Sequence, residues 1–238
     1  SSSTLRKLKL SIISTTALVG YLLLSNPARA SENPIFGYPH LLPSPYTMRA
    51  GRLVIGSDAA FGLTDFIQIS SNVILDIYQT YNAQVKLSLL DYPEFALALT
   101  GGWVSFNYST YSLSNPNIQV TSWLPGFVSA VSIHPSLAAF FGGNLSISKS
   151  TLTTQTIETS GYIRGASGEV DLSWAYNPHK KSLGNVLSTG VTYDFSYQIY
   201  GVGVSHYWRG FHLGIHYYPN AKTYRVLPII SGSMALDI

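Results

Sequence analysis

Apolar and polar residues alternate with a period of two through most of this chain, and this alternation is the strongest constraint on its fold. In LSTGVTYDFSY (187–197), every second residue is apolar, aromatic or threonine, and the residues between them are small or polar. The stretches 82–89, 140–148 and 168–176 alternate in the same way. Successive side chains of a strand point to opposite faces, so the pattern predicts β-strands. After residue 30, no run approaches the ~20 apolar residues of a membrane-spanning helix.

The polar faces of these strands carry few charges. Charged residues make up 11% of the chain, against about 25% in a typical soluble domain. A soluble sandwich would carry more Lys and Glu on its outer face, whereas small uncharged residues suit a narrow barrel lumen. Turn signals such as DYPE (91–94) and HPS (134–136) alternate with longer polar links such as 107–117. We predict an all-β fold, an antiparallel transmembrane β-barrel of ten strands, with twelve strands as the alternative.

Residues 1–30 have the pattern of an export signal. A basic start precedes the apolar run 11–24, and PARA ends in the small-residue pattern of a cleavage site. A retained membrane anchor is the alternative, but the run is shorter than the ~20 residues that a spanning helix needs. We therefore expect a signal peptide (1–30), an extended leader (31–46) and the barrel (47–238).

The signal peptide accounts for the basic charge of the chain. It holds Arg6, Lys7, Lys9 and Arg29 and no acidic residue. Removing these four of the fourteen basic residues leaves ten against eleven acidic ones, a net charge of −1. This charge excludes nucleic acid as a partner. There is no cysteine, so no disulfide can form after export.

Two local motifs add to this interpretation. In 72–79, Asn72 as an N-cap and apolar residues at 73, 74 and 77 predict a short helix at the barrel mouth. AFGLTDFIQISSN (60–72), a Gly-Leu-Thr-Asp turn leading into an alternating strand, resembles predicted, functionally uncharacterised outer-membrane barrels of Gram-negative bacteria. The resemblance implies a bacterial outer-membrane location and a barrel fold, and it carries no catalytic residues to transfer. Expected partners are outer-membrane lipid and lipopolysaccharide, with the barrel-assembly machinery and periplasmic chaperones during biogenesis.

Three histidines in HYWRGFHLGIHYYP (206–219) suggest a metal site only if this stretch is helical. On a helix, His212 and His216 would be one turn apart, whereas on a strand they lie roughly 13 Å apart. Two glycines inside a helix would cost about 1 kcal/mol each and would leave the alternation unexplained. Arg209-Gly210 as a two-residue turn instead predicts a hairpin that pairs Tyr207 with His212. We expect no metal and no cofactor.

The alternation points a set of charged and polar side chains into the lumen. These are Arg52, Lys86, Glu169, Asp171, Asp194, His212 and His216. One interpretation is a paired network that satisfies these charges and plugs the barrel. The other is a narrow pore whose lining selects permeants. Glu169 and Asp171, roughly 6.7 Å apart on one face, would also suit acid–base catalysis, but nothing supplies a substrate cleft.

A second set is predicted to form an interfacial girdle on the lipid face. Its members are Trp174, Tyr176, His206, Trp208, Phe211 and Tyr217. A lipid hydrolase or acyltransferase, the alternative function, would need a serine and an orienting group beside His206, but Ser205 points the other way. The GxSxG motif is absent from 143–148, and 161–168 matches no phosphate-binding loop. We therefore assign no catalytic residue and predict a non-enzymatic barrel, structural or a narrow pore.

Overall fold

The described part of the chain consists almost entirely of β-strands. The computed structural model describes residues 44–77, 80–92, 94–109, 117–153, 158–176, 185–208, 211–222 and 225–237. The expected signal peptide and all of the leader before residue 44 lie outside these residues. The first six strands are β1 Arg52–Gly56, β2 Asp58–Thr64, β3 Ile67–Asn72, β4 Thr80–Asp91, β5 Phe95–Ser109 and β6 Asn117–His134. The other six are β7 Leu137–Thr153, β8 Glu158–Tyr176, β9 Asn185–Asp194, β10 Ile199–Trp208, β11 Phe211–Tyr217 and β12 Val226–Asp237.

These strands form one antiparallel sheet in chain order, and the sheet closes into a barrel. β1 pairs with β12 over five residues, from Arg52 opposite Asp237 to Gly56 opposite Ser233. The all-β expectation is confirmed, and the described strands number twelve rather than ten. Twelve was the alternative strand number. A single residue, Ser57, separates β1 from β2.

The two ends of the barrel differ in their connections. We name the turn end as the one reached by connections 65–66, 92–94, 135–136, 177–184 and 209–210, and four of these five have two or three residues. The loop end has the connections 57, 73–79, 110–116, 154–157, 195–198 and 218–225, most of which have four to eight residues. β1 starts and β12 ends at the turn end. Short connections on one side and longer ones on the other are typical of single-chain barrels.

The outer face of the barrel carries most of the large apolar side chains, and the inward side chains are mostly small or polar. On β9, the outward Leu187, Val191 and Tyr193 are 39%, 55% and 38% exposed, whereas the inward Val186 and Ser188 are 1% and 2% exposed. The predicted alternation is therefore realised with the large apolar side chains outward. A water-soluble domain has the opposite arrangement, with its large apolar residues inside.

The hairpin of β10 and β11 has the register expected from its sequence. Tyr207 is opposite His212, and Trp208 is opposite Phe211. The stretch is thus extended and not helical, and its two turn residues lie outside the described residues. At the other end of β11, the ring of Tyr218 covers Gly201 of β10, where a Cβ would lie 2.5 Å from a ring carbon. A glycine is required at this place because any side chain would displace the ring.

β9 ends three residues before the end of its alternating pattern. The carboxylate of Asp194 accepts the backbone N–H groups of Ser196 (2.8 Å) and Tyr197 (2.9 Å), which turns the chain. Phe195 and Tyr197 therefore belong to the turn 195–198 and not to the strand. The turn closes at Gln198, which has a φ of 54°.

One short helix lies at the loop end, as predicted from Asn72. Helix α1 spans Val73–Ile77, and the Asn72 side-chain oxygen accepts the N–H of Leu75 (2.9 Å). Asp76 ties the helix to the barrel by accepting from Ser71 Oγ (2.6 Å) and Asn82 Nδ2 (3.0 Å).

Among the described residues, no helix is long and apolar enough to cross a membrane.

Candidate functional site

The turn end of the lumen is filled by an apolar cluster that includes residues preceding β1. Tyr46 lies inside the barrel with 7% of its surface exposed, and Phe140 beside it is fully buried. The cluster consists of Tyr46, Ala96, Ala130, Ala138, Phe140, Ala175, Val186 and Tyr207. The small alanines of neighbouring strands leave room for the rings of Tyr46, Phe140 and Tyr207. This end of the lumen is thus packed with hydrocarbon.

Residues 44–50, which we name the lumen segment, are held by hydrogen bonds to the barrel wall. The buried Lys86 ammonium donates to the backbone oxygens of Ser44 (2.7 Å) and Tyr46 (3.0 Å). The Gln68 side-chain oxygen accepts the N–H of Met48 (3.1 Å). Asp65, in the β2–β3 turn, accepts the N–H of Ala50 (2.9 Å) at its carboxylate. The wall therefore binds the segment mainly through its backbone, so these contacts do not depend on the segment's side chains.

A glycine in β2 allows the lumen segment to approach the wall closely. A Cβ on Gly62 would overlap the backbone oxygen of Arg49 and would lie 2.9 Å from that of Met48. The backbone of Gly62 also accepts the N–H of Gly51 (2.9 Å). Since the obstructing atoms are backbone atoms, no rotamer change would relieve the overlap.

Burial raises the pKa of Tyr46, and the negative charge of Asp91 raises it further. Both effects oppose formation of a phenolate inside the lumen. Tyr46 therefore remains neutral well into the alkaline range.

A polar layer lines the lumen on β8 to β11, beyond the apolar cluster. Ser173 and Ser188 share a hydrogen bond of 2.6 Å, and both are buried. Closer to the loop end, His216 Nδ1 lies 3.2 Å from the Tyr218 hydroxyl. Burial raises the pKa of Tyr218, with a smaller contribution from the charge of Glu169. The serine pair connects β8 to β9, and both contacts leave this wall of the lumen polar.

The predicted lumen residues occupy different places. Asp171 and His212 are buried, with 1% and 6% of their surfaces exposed, while Glu169 and His216 are half-buried. Arg52 shares the inward face of β1 by its register, but its side chain is exposed at the turn end.

These residues do not form a metal site. Over the described ranges, no group of three or more His, Asp or Glu side chains is arranged to hold a metal ion.

The predicted girdle residues lie on the outward face. Five of them lie near the turn end, and Tyr217 lies near the loop end. His206 Nε2 lies 2.5 Å from the Tyr176 hydroxyl, and the two rings stack with centroids 5.8 Å apart. Ser205 is 3% exposed and faces the lumen. The polar neighbour of His206 is thus a phenol, which does not supply the serine nucleophile of a lipid hydrolase.

The outward face also carries an apolar groove of about 790 Å³ across β2 to β6. Its floor follows the small residues Ala59, Ala83 and Gly101. The register places Trp103 opposite Ala83 and Val85 opposite Gly101, so larger side chains border the floor on both sides. No charged residue lines the groove. Its shape follows from where small residues fall on neighbouring strands.

No model of a known protein family matches the chain, and no curated protein sequence matches it either.

Three features of this arrangement were not predicted from the sequence: the place of the lumen segment, the role of Gly62 and the groove. The lumen segment belongs partly to the predicted leader, and it has no period that would place it inside a barrel. Gly62 was part of the Gly-Leu-Thr-Asp motif, but its role depends on a contact with the lumen segment. The groove corresponds to small outward residues at neighbouring positions of adjacent strands. These positions can be recognised as neighbours only when the register of the strands is known.

Proposed function

We propose that this chain is a bacterial outer-membrane β-barrel protein without enzymatic activity, whose lumen is plugged at the turn end. The observation that carries the proposal is a closed antiparallel sheet whose outer wall is apolar. Only a closed sheet or a helix satisfies its backbone polar groups within lipid.

The height of the uncharged outer wall supports a membrane-spanning position. On β8, the outward residues between Trp174 and Arg164 are Leu172, Val170, Gly168 and Ala166. Ten residues correspond to about 33 Å along the strand, or about 25 Å along the axis of a barrel with strands tilted by 35–45°. This matches the apolar band of an outer-membrane barrel.

The packing of the turn end favours a plugged barrel over an open pore. Phe140 and three of the cluster's alanines have no exposed surface. Lys86 fixes the lumen segment against this cluster. Water or ions would have to displace the segment to pass.

The export signal in residues 1–30 supports the proposed location. Its removal, the contact of the wall with outer-membrane lipid and lipopolysaccharide, and assembly by the barrel-assembly machinery and periplasmic chaperones are parts of the same proposal.

The test is to refold residues 31–238 with lipid vesicles and record single proteins in a planar bilayer. We expect insertion, a gel mobility that changes on heating, and almost no conductance. Deleting residues 31–50 should leave the barrel inserted and raise the conductance. A chain that stays dissolved without detergent would contradict the membrane proposal, and a high conductance of the undeleted protein would contradict the plug.

A further inference from the structure

Two cations lie on the outward face next to the apolar groove. Trp123, at the edge of the groove, is opposite Ile147 of β7, and Ile147 is in turn opposite Arg164 of β8. Lys149 is opposite Thr121, which makes it a diagonal neighbour of Trp123 at about 7–8 Å. Both cationic side chains are exposed.

These cations are the first charges on their strands as the outward face is followed from the turn end. On β7 the outward residues from Leu137 to Ile147 are uncharged, and Lys149 comes next. On β8 the uncharged run from Trp174 ends at Arg164. Charges are costly at the centre of a bilayer and cost little near its surface. In a membrane the pair would therefore lie at the level of the lipid headgroups at the loop end, with the groove beside it.

We propose that the groove and the two cations form one binding site for a membrane lipid whose phosphate headgroup carries a net negative charge. An acyl chain lies along the floor of Ala59, Ala83 and Gly101, and the phosphate contacts Lys149 and Arg164. This inference rests on the proposed membrane location of the barrel.

The size and charge of the site favour a lipid over a protein partner. A volume of about 790 Å³ falls in the range of small-molecule pockets. The acidic residue that shares the outward face of β8 is Glu158, six residues or about 20 Å along the strand from Arg164. The cations are thus positioned to attract an anion from outside the barrel.

Native mass spectrometry of the detergent-refolded protein tests the site with two probes of equal chain length. These are dimyristoyl phosphatidylglycerol, which is anionic, and dimyristoyl phosphatidylcholine, which is zwitterionic. We expect one phosphatidylglycerol molecule to bind preferentially. Each removed cation should weaken its binding about fivefold, so Lys149→Gln with Arg164→Gln should weaken it about twenty- to thirtyfold. Ala83→Phe, which fills the floor, should weaken binding of both lipids.

Matched variants separate the site from general effects on the barrel. Lys222→Gln removes an exposed cation at the same end, and Ala139→Phe enlarges an outward alanine of β7 outside the groove; neither should change lipid binding. Lys149→Arg should keep it, and the heat-dependent gel mobility verifies that every variant folds. Equal binding of both lipids, an unchanged affinity in the double variant, or a protein dimer without lipid would overturn the site. A wild-type chain that does not insert into vesicles would overturn the membrane proposal and the site with it.

Discussion

At the scale of single residues, the lumen segment is fixed by groups that act on its backbone. Lys86 donates hydrogen bonds to two backbone carbonyl oxygens, and Gly62 leaves space for the backbone carbonyl of Arg49. A buried ammonium needs several acceptors to offset its lost hydration, and the segment supplies them. Segment and wall therefore stabilise each other.

Gly62→Ala should displace the lumen segment. The added methyl overlaps the backbone of Arg49, so we expect a loss of about 1–3 kcal/mol in the free energy of unfolding. Backbone amides of residues 48 and 50 should exchange faster with deuterium, because their bonds to Gln68 and Asp65 are lost.

Gly161→Ala is the matched control, since a Cβ there has no atom within 4 Å. It should leave both the stability and the exchange of the segment unchanged. If Gly62→Ala behaved in the same way, the close packing of the segment would be refuted.

At the scale of elements, the sequence predicted what depends on local periodicity. The hairpin of β10 and β11 was predicted with its register, because a two-residue turn fixes which residues are opposite each other. The strand number was less well predicted: ten was favoured and twelve was the alternative, and the described residues form twelve strands. The lumen segment, with no period, is positioned by Lys86 and Gly62, which are distant in sequence and become neighbours only in the folded barrel.

The outward face of β8 should respond to charge according to depth. Val170 lies near the middle of the uncharged run, and Tyr162 lies beyond Arg164. In lipid vesicles we expect Val170→Lys to lower the free energy of unfolding by about 2–4 kcal/mol and Tyr162→Lys by about 0–1 kcal/mol. Denaturant titration of the inserted protein measures both. Equal effects would argue against a membrane around this strand.

At the scale of the whole molecule, two tyrosines in the lumen connect stability to pH. Tyr46 lies at the turn end and Tyr218 at the loop end, and burial raises the pKa of each. The unfolded chain releases these protons near pH 10, before the folded barrel does. The contribution of the two neutral tyrosines to the free energy of unfolding is therefore fully present below pH 10, and it decreases as the pH rises above 10.

We expect the free energy of unfolding to fall as the pH rises above about 10, and to fall less in Tyr46→Phe. Tyr218→Phe should have a smaller effect because its side chain is less buried. Tyr197→Phe, at a position 65% exposed, is the control and should have the same pH profile as the wild type. Comparing the variants with each other removes the contribution of the other titrating groups, which all of them share. A Tyr46→Phe profile identical to the wild type would rule out this coupling.

The pairing of β1 with β12 also has a consequence for how the barrel is made. Arg52 and Asp237, which are opposite each other at this seam, are separated by nearly the whole described chain. All other neighbouring strands are consecutive in the sequence, so each can pair with the strand before it without waiting for a distant part of the chain. Closure must wait for the last strand, and until then two unpaired edges are open to other chains. The lumen segment directly precedes β1, so one strand of the seam is joined directly to the segment that fills the turn end.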